Sequence, residues 1–184
     1  MKYQVIKVLN IIVLLTVFTS CSKNTNFGNG IYFQSDYEST DVGFHSLGSS
    51  IFLGNIKDGY TGYSKILVYS DVLSYYKKDG FLYVKQQFNF TLFKELVLQS
   101  YNSSKTLPKP YVPREVQKLL LQNKDVPLDT VIKKSNFYEK RNKNQDYNYY
   151  IINIKTQEVS DVYSSKKFKK HLKDNNKEPI FNKL

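Results

Sequence analysis

The sequence predicts an α+β fold: a β-rich antiparallel meander with a helical insertion and a short C-terminal helix. Three observations predict it. Asp79-Gly80 sits between two β-prone runs, 72–76 and 81–86. That dipeptide accepts the positive φ angles of a tight hairpin turn. From Pro113 onward, Val116, Leu119 and Leu120 form one apolar stripe at helical spacing, with Glu115 in the first turn. Near the end, Phe168 and Leu172 stand at i and i+4 among five lysines, an amphipathic basic helix.

The other elements follow in order. Residues 22–30 are polar and read as a flexible tether punctuated by Gly28 and Gly30. A first short strand is expected over 31–35, then an acidic loop over 36–43. Strands are expected over 50–53 and 65–69, with turns at Asp58-Gly59 and Thr61-Gly62 between them. In the 81–86 arm, Phe81, Tyr83 and Lys85 share one face and Leu82 and Val84 the other. Residues 91–101 carry Leu92, Leu96 and Gln99 at helical spacing, although Phe93 and Val97 also suit a strand. Pro108 and Pro110 mark a loop over 102–112, and Asp125 to Pro127 ends the next helix. The Lys/Asn-rich stretch 133–148 reads as mobile. Residues 149–155 form the best strand of the second half, and Val159 starts a partner after a turn. Ser165 is placed to cap the last helix, through Leu172.

At 184 residues the chain is long enough for one domain. Its organisation is read as 1–20 export signal, 21–30 tether, 31–173 a single β-rich domain with an insertion at about 88–146, and 174–184 a tail. Lys2 and Lys7 precede an apolar run over 8–18. That run falls short of the roughly 20 residues that span a bilayer and fits the core of a secretory signal. Phe18, Thr19 and Ser20 then lead to Cys21, the chain's single cysteine. This arrangement resembles the lipobox of bacterial lipoproteins, with Phe18 where leucine is commoner. The resemblance implies cleavage between Ser20 and Cys21, diacylglycerol on the Cys21 sulfur and acylation, as by palmitate, of the new amine. The alternative is a plain signal peptide or signal anchor with an incidental cysteine. Ser22 after the cysteine favours the outer membrane under enteric-type sorting, with the periplasmic or surface face left open.

Charge is concentrated in the second half. Residues 21–104 hold seven lysines and seven acids, whereas residues 105–184 hold 18 basic and nine acidic side chains. Such a half suits anionic lipid, an acidic envelope protein or nucleic acid. Nucleic acid is set aside, because only Arg114 and Arg141 supply the bidentate guanidinium fork, and an export signal leads away from the chromosome. The Lys, Asn, Ile and Tyr richness also matches what an AT-rich genome encodes.

The order of elements resembles a group of small bacterial lipoproteins of unknown function. The pieces that carry it are Gly30-Ile-Tyr-Phe33, His45-Ser-Leu-Gly-Ser-Ser-Ile-Phe-Leu-Gly-Asn55, Asp79-Gly-Phe-Leu-Tyr-Val-Lys-Gln86, Tyr149-Tyr-Ile-Ile-Asn-Ile-Lys-Thr156 and Ser164-Ser-Lys-Lys-Phe-Lys-Lys170. They cover residues 21–87 and 147–173. In that group a strand ends in Asp or Asn, two residues and Thr, before a turn and a helix bearing one Phe. The resemblance implies a compact β-rich domain behind a lipid anchor and supplies no activity.

Catalytic parts are sparse. One cysteine excludes a multi-cysteine zinc site. His45 lies beside Ser46, Ser49 and Ser50, with Asp36 and Asp41 upstream, but no nucleophile-elbow pattern surrounds them. Asp36, Glu38 and Asp41 lack the spacing of a calcium loop. His171 reads as a helix-surface residue. No catalytic residue, metal ligand or cofactor is therefore assigned. The expected role is a non-enzymatic binding or accessory lipoprotein. The alternative is an immunity or inhibitor lipoprotein against a secreted toxin.

Overall fold

The computed structural model describes residues 25–35, 48–57, 60–103, 111–144, 146–175 and 181–183. Two antiparallel sheets form the body, and neither closes into a barrel. The first runs in the order β1 (Thr25–Gly28), β2 (Ile31–Gln34), β3 (Ser50–Lys57), β4 (Tyr60–Val68). The second runs β7 (Asn148–Asn153), β6 (Phe81–Gln86), β5 (Val72–Lys78), β8 (Asn182–Lys183). Among the described residues between β6 and β7 are four helices: α1 (Phe90–Ser103), α2 (Arg114–Gln122), α3 (Leu128–Lys133) and α4 (Asn136–Asn142). The C-terminal helix is α5 (Ser165–Asp174). This is the α+β class, meander, helical insertion and terminal helix that the patterning predicts.

The Asp79-Gly80 hairpin forms as expected. Asp79 and Gly80 sit at φ +50° and +77°, and Lys78 pairs with Phe81. A Cβ added at Gly80 meets nothing within 4 Å, so only backbone conformation resists it. Gly80→Ala is expected to cost about 1 kcal/mol, read as a lower urea midpoint with an unchanged m-value.

The tether is shorter than expected. Asn29-Gly30 is a second tight turn, at φ +48° and +73°, not the end of a linker. It joins β2 to β1, whose Phe27 is 3% exposed in the core. The second sheet holds β1 from its other side. Lys77 Nζ donates to the Phe27 carbonyl at 2.7 Å, and the Tyr75 hydroxyl lies 3.5 Å from Thr25 Oγ1. One apolar residue among polar neighbours gave little strand pattern, but it suffices when a turn presents it to a preformed core.

Strand alternation decides what each sheet face meets. Ile31, Phe33, Ile51, Leu67 and Val68 of the first sheet pack against Val72, Leu82, Val84, Tyr150 and Ile152 of the second. The opposite face of the second sheet is also covered. There Tyr83, Tyr76, Tyr149 and Ile151 pack under Phe168 and Leu172 of α5. The two faces of the 81–86 arm thus serve two different cores.

Four further expectations change. Thr61-Gly62 lies inside β4, paired with Ile56 and Asn55, and the strand extends back to Tyr60. The 133–148 stretch is not a mobile segment throughout. It contains α4, capped by Ser135 Oγ accepting from Tyr138 N at 3.1 Å. Glu115 of α2 adds a second cap, accepting from Asn136 N at 2.6 Å and Phe137 N at 3.2 Å. Caps satisfy the orphan amides that otherwise limit so short a helix. The 174–184 tail is partly ordered, because Phe181 packs in the α5 cluster and β8 pairs with Ser74 and Tyr75. The 91–101 segment is helical, since Phe93, Leu96 and Val97 all face one core that the insertion builds with Ile66 and Tyr69. Val159 makes only a single bridge to Ile152.

Candidate functional site

Cys21 and Ser20, the lipidation and cleavage residues, lie outside the described residues, as do His45, Asp36, Glu38 and Asp41. His171 stands on α5, half-buried, its ring 5.6 Å from that of Tyr163. Among the described residues no cluster of three His, Cys, Asp or Glu could hold a metal ion. No helix there is long and apolar enough to cross a membrane.

A buried hydrogen-bonded junction lies between β6, β7, the end of β4 and α4. Gln86, with none of its surface exposed, donates from Nε2 to the Tyr69 carbonyl at 2.6 Å. Its Oε1 accepts from the Tyr150 hydroxyl at 2.9 Å and from Asn148 Nδ2 at 3.2 Å. Asn148 Nδ2 also donates to the Arg141 carbonyl at 3.1 Å, and Asn148 Oδ1 accepts from Asn144 Nδ2 at 2.7 Å. The Arg141 guanidinium lies 3.7 Å above the Phe137 ring. Burial pushes the Tyr69 and Tyr150 phenols above their ordinary pKa, and nearby Arg141 offsets only part of this. Both phenols stay protonated; that of Tyr69 donates to the Tyr111 carbonyl at 3.0 Å. A neutral, donating tyrosine is a structural strut rather than a nucleophile. Strand parity signals this junction: Gln86 follows Leu82 and Val84 in the inward register, and Asn148 precedes Tyr150 and Ile152.

A shallow groove of about 360 Å³ opens on the insertion between α1 and α2, where Val97, Leu98, Leu120 and Val126 meet Asn123 and Lys124. Leu98, 41% exposed, is one of its walls.

The surface feature with the clearest chemistry is α5. Ser164, one residue before the expected cap, accepts from Lys167 N at 3.4 Å. Phe168 and Leu172 point into the sheet, and Phe168 stacks on Tyr149 with ring centres 4.6 Å apart. Periodicity then forces Lys166, Lys167, Lys169, Lys170 and Lys173 outward, and all five are exposed. No ion pair or side-chain hydrogen bond holds their amines among the described residues. The Asn153-x-x-Thr156 pattern that precedes this helix is turn chemistry. Asn153 Oδ1 accepts from the amides of Lys155 at 3.0 Å and Thr156 at 3.2 Å. Gln157 then takes φ +61° and donates from Nε2 to the Asn29 carbonyl at 2.6 Å, tying this turn to the β1–β2 turn.

The chain matches no protein-family model, no curated protein and no solved structure.

Proposed function

We propose that the chain is a lipid-anchored lipoprotein of the bacterial envelope whose folded domain binds a partner at the membrane surface rather than turning over a substrate. The observation that carries this reading is the position of Cys21. It is the single cysteine, and it falls directly after an apolar signal core and two small residues. The structured body supports it, because β1 begins at Thr25, four residues downstream, so that an anchor at Cys21 leaves the fold intact. Acyl chains together hold a protein stably where one chain binds marginally. The likeness to small lipoproteins of unknown function belongs to the same reading.

Growth with a clickable palmitate analogue tests it. The wild-type chain is expected to take the label and to fractionate with membranes. Cys21→Ala is expected to lose the label entirely. A mature, unlabelled wild-type chain released in soluble form overturns the proposal.

A further inference from the structure

We propose that the outward face of α5 is a second membrane signal, its lysines resting on anionic lipid headgroups of the bilayer that holds the Cys21 anchor. This rests on the lipoprotein reading and adds to it the face that looks at the membrane.

The packing of α5 selects the mode of contact. Phe168 and Leu172 are 2% and 8% exposed, used against Tyr83 and Tyr149. The helix therefore has no apolar face left to insert, and only charge is presented. That charge is one-sided: five exposed lysines, with Asp174 the only acid of the helix and at its last position. Lys166 and Lys170, like Lys169 and Lys173, stand one turn apart, where like charges repel along a helix. A helix that tolerates this repulsion, with no carboxylate partner among the described residues, has a surface suited to an external anionic layer. A lysine near an anionic membrane surface contributes about 1 kcal/mol through its charge alone, without the directed contacts that a guanidinium fork makes.

The anchor supplies proximity. From Cys21 to Thr25 the chain reaches at most about 14 Å, however it is arranged. Thr25 lies against Tyr75 on the inner face of the second sheet, and α5 covers the outer face of that same sheet. Packed layers are about 10 Å apart. Acylation of Cys21 keeps the domain at the bilayer, where a turn of the whole domain brings the α5 face, about two such layers (~20 Å) from Thr25, onto the headgroups. Surface charge falls off over about 8 Å at physiological salt, so a polybasic face acts only when held that near. Holding the domain at the bilayer through its anchor raises the effective concentration of this second contact.

Lysine footprinting tests the assignment. The chain purified from membranes is placed in phosphatidylcholine nanodiscs, with or without phosphatidylglycerol. It is then acetylated briefly and read by peptide mass spectrometry. Lys166, Lys167, Lys169, Lys170 and Lys173 are expected to be acetylated roughly fivefold more slowly in the anionic discs, the ratio that corresponds to one lysine–headgroup contact. Lys118 and Lys124, exposed on the helical insertion, are expected to react alike in both. The triple variant Lys166→Gln, Lys169→Gln, Lys173→Gln changes only exposed side chains and is expected to abolish the difference at Lys167 and Lys170. Equal acetylation of α5 in the two discs overturns the proposal, as does protection conferred by an added acidic protein but not by phosphatidylglycerol. The intact mass of the purified chain reports acylation separately. An unmodified Cys21 overturns the lipoprotein reading. In that case phosphatidylglycerol vesicles added to the soluble chain still read the α5 face: protection upholds the headgroup contact and its absence overturns it.

Discussion

Phe168→Ala is expected to destabilise the chain by about 3–5 kcal/mol and to free α5 from the second sheet. The Phe168 ring is nearly inaccessible and sits in an aromatic cage. It stacks on Tyr149 at 4.6 Å, meets Tyr83 edge-on at 6.3 Å and lies 6.0 Å from Phe181. Its removal leaves a cavity under a helix that cannot stand alone. Ten residues fall below the length at which an isolated helix is even marginal in water, and the lysine pairs one turn apart repel. Phe168 and Leu172 therefore supply most of what keeps residues 165–174 helical. Urea unfolding should show the loss of midpoint. Hydrogen exchange separates its two parts: amides of 165–174 exchange much faster in the variant, while β6 amides fall only with global stability. Faster exchange throughout, with α5 no worse than β6, would show that the helix does not depend on this contact. The lysine-to-glutamine triple variant should shift stability the other way, by a few tenths of a kcal/mol, as repulsion is relieved.

Legibility in the sequence followed the range of the interactions concerned. Where a few adjacent residues determine conformation, the pattern could be read. Asp79-Gly80 fixes its own turn, Pro113 opens α2, and the apolar run of β7 stands out from its Lys/Asn-rich flank. The misses share a different cause. β1 is a strand because Asn29-Gly30 folds Phe27 back onto a core built by distant strands, and Lys77 reaches it across 50 residues. The same dipeptide chemistry was visible there, but with only one apolar residue beside it, it looked like a linker. α4 is capped by Glu115 from another helix, and Phe137 is its only buried apolar side chain, so lysine and asparagine dominated its composition. β8 is two residues long and pairs only because Phe181 is already held under α5. The lysine face was visible as periodicity. That its apolar side is fully committed to the sheet, leaving charge alone outside, became clear only from the packing.

Gln86→Leu is expected to cost about 3 kcal/mol or more, since each buried polar group it orphans costs about 1–3 kcal/mol. Leucine matches the volume but removes one donor and one acceptor. The Tyr69 carbonyl loses its 2.6 Å partner, the Tyr150 hydroxyl loses its acceptor, and Asn148 Nδ2 keeps only the Arg141 carbonyl. These groups lie just after β4, in β7 and in the α4 segment, so the loss strikes the seam that joins the helical insertion to the second sheet. Tyr150→Phe alone should cost about 1 kcal/mol, because it leaves Gln86 Oε1 still bonded to Asn148. The double variant should then be less costly than the sum of the two by about 1 kcal/mol, since the phenylalanine removes one of the groups that leucine orphans. Urea midpoints at constant m-value measure this cycle. Strict additivity would mean that Gln86 and Tyr150 act independently, and that the insertion is held by its aromatic cluster of Tyr69, Phe93 and Phe137 alone. Non-additivity would place the hydrogen-bonded seam beside that cluster as a second attachment. Two attachments of different chemistry would fix the insertion in one orientation, because apolar rings tolerate sliding and directional hydrogen bonds do not.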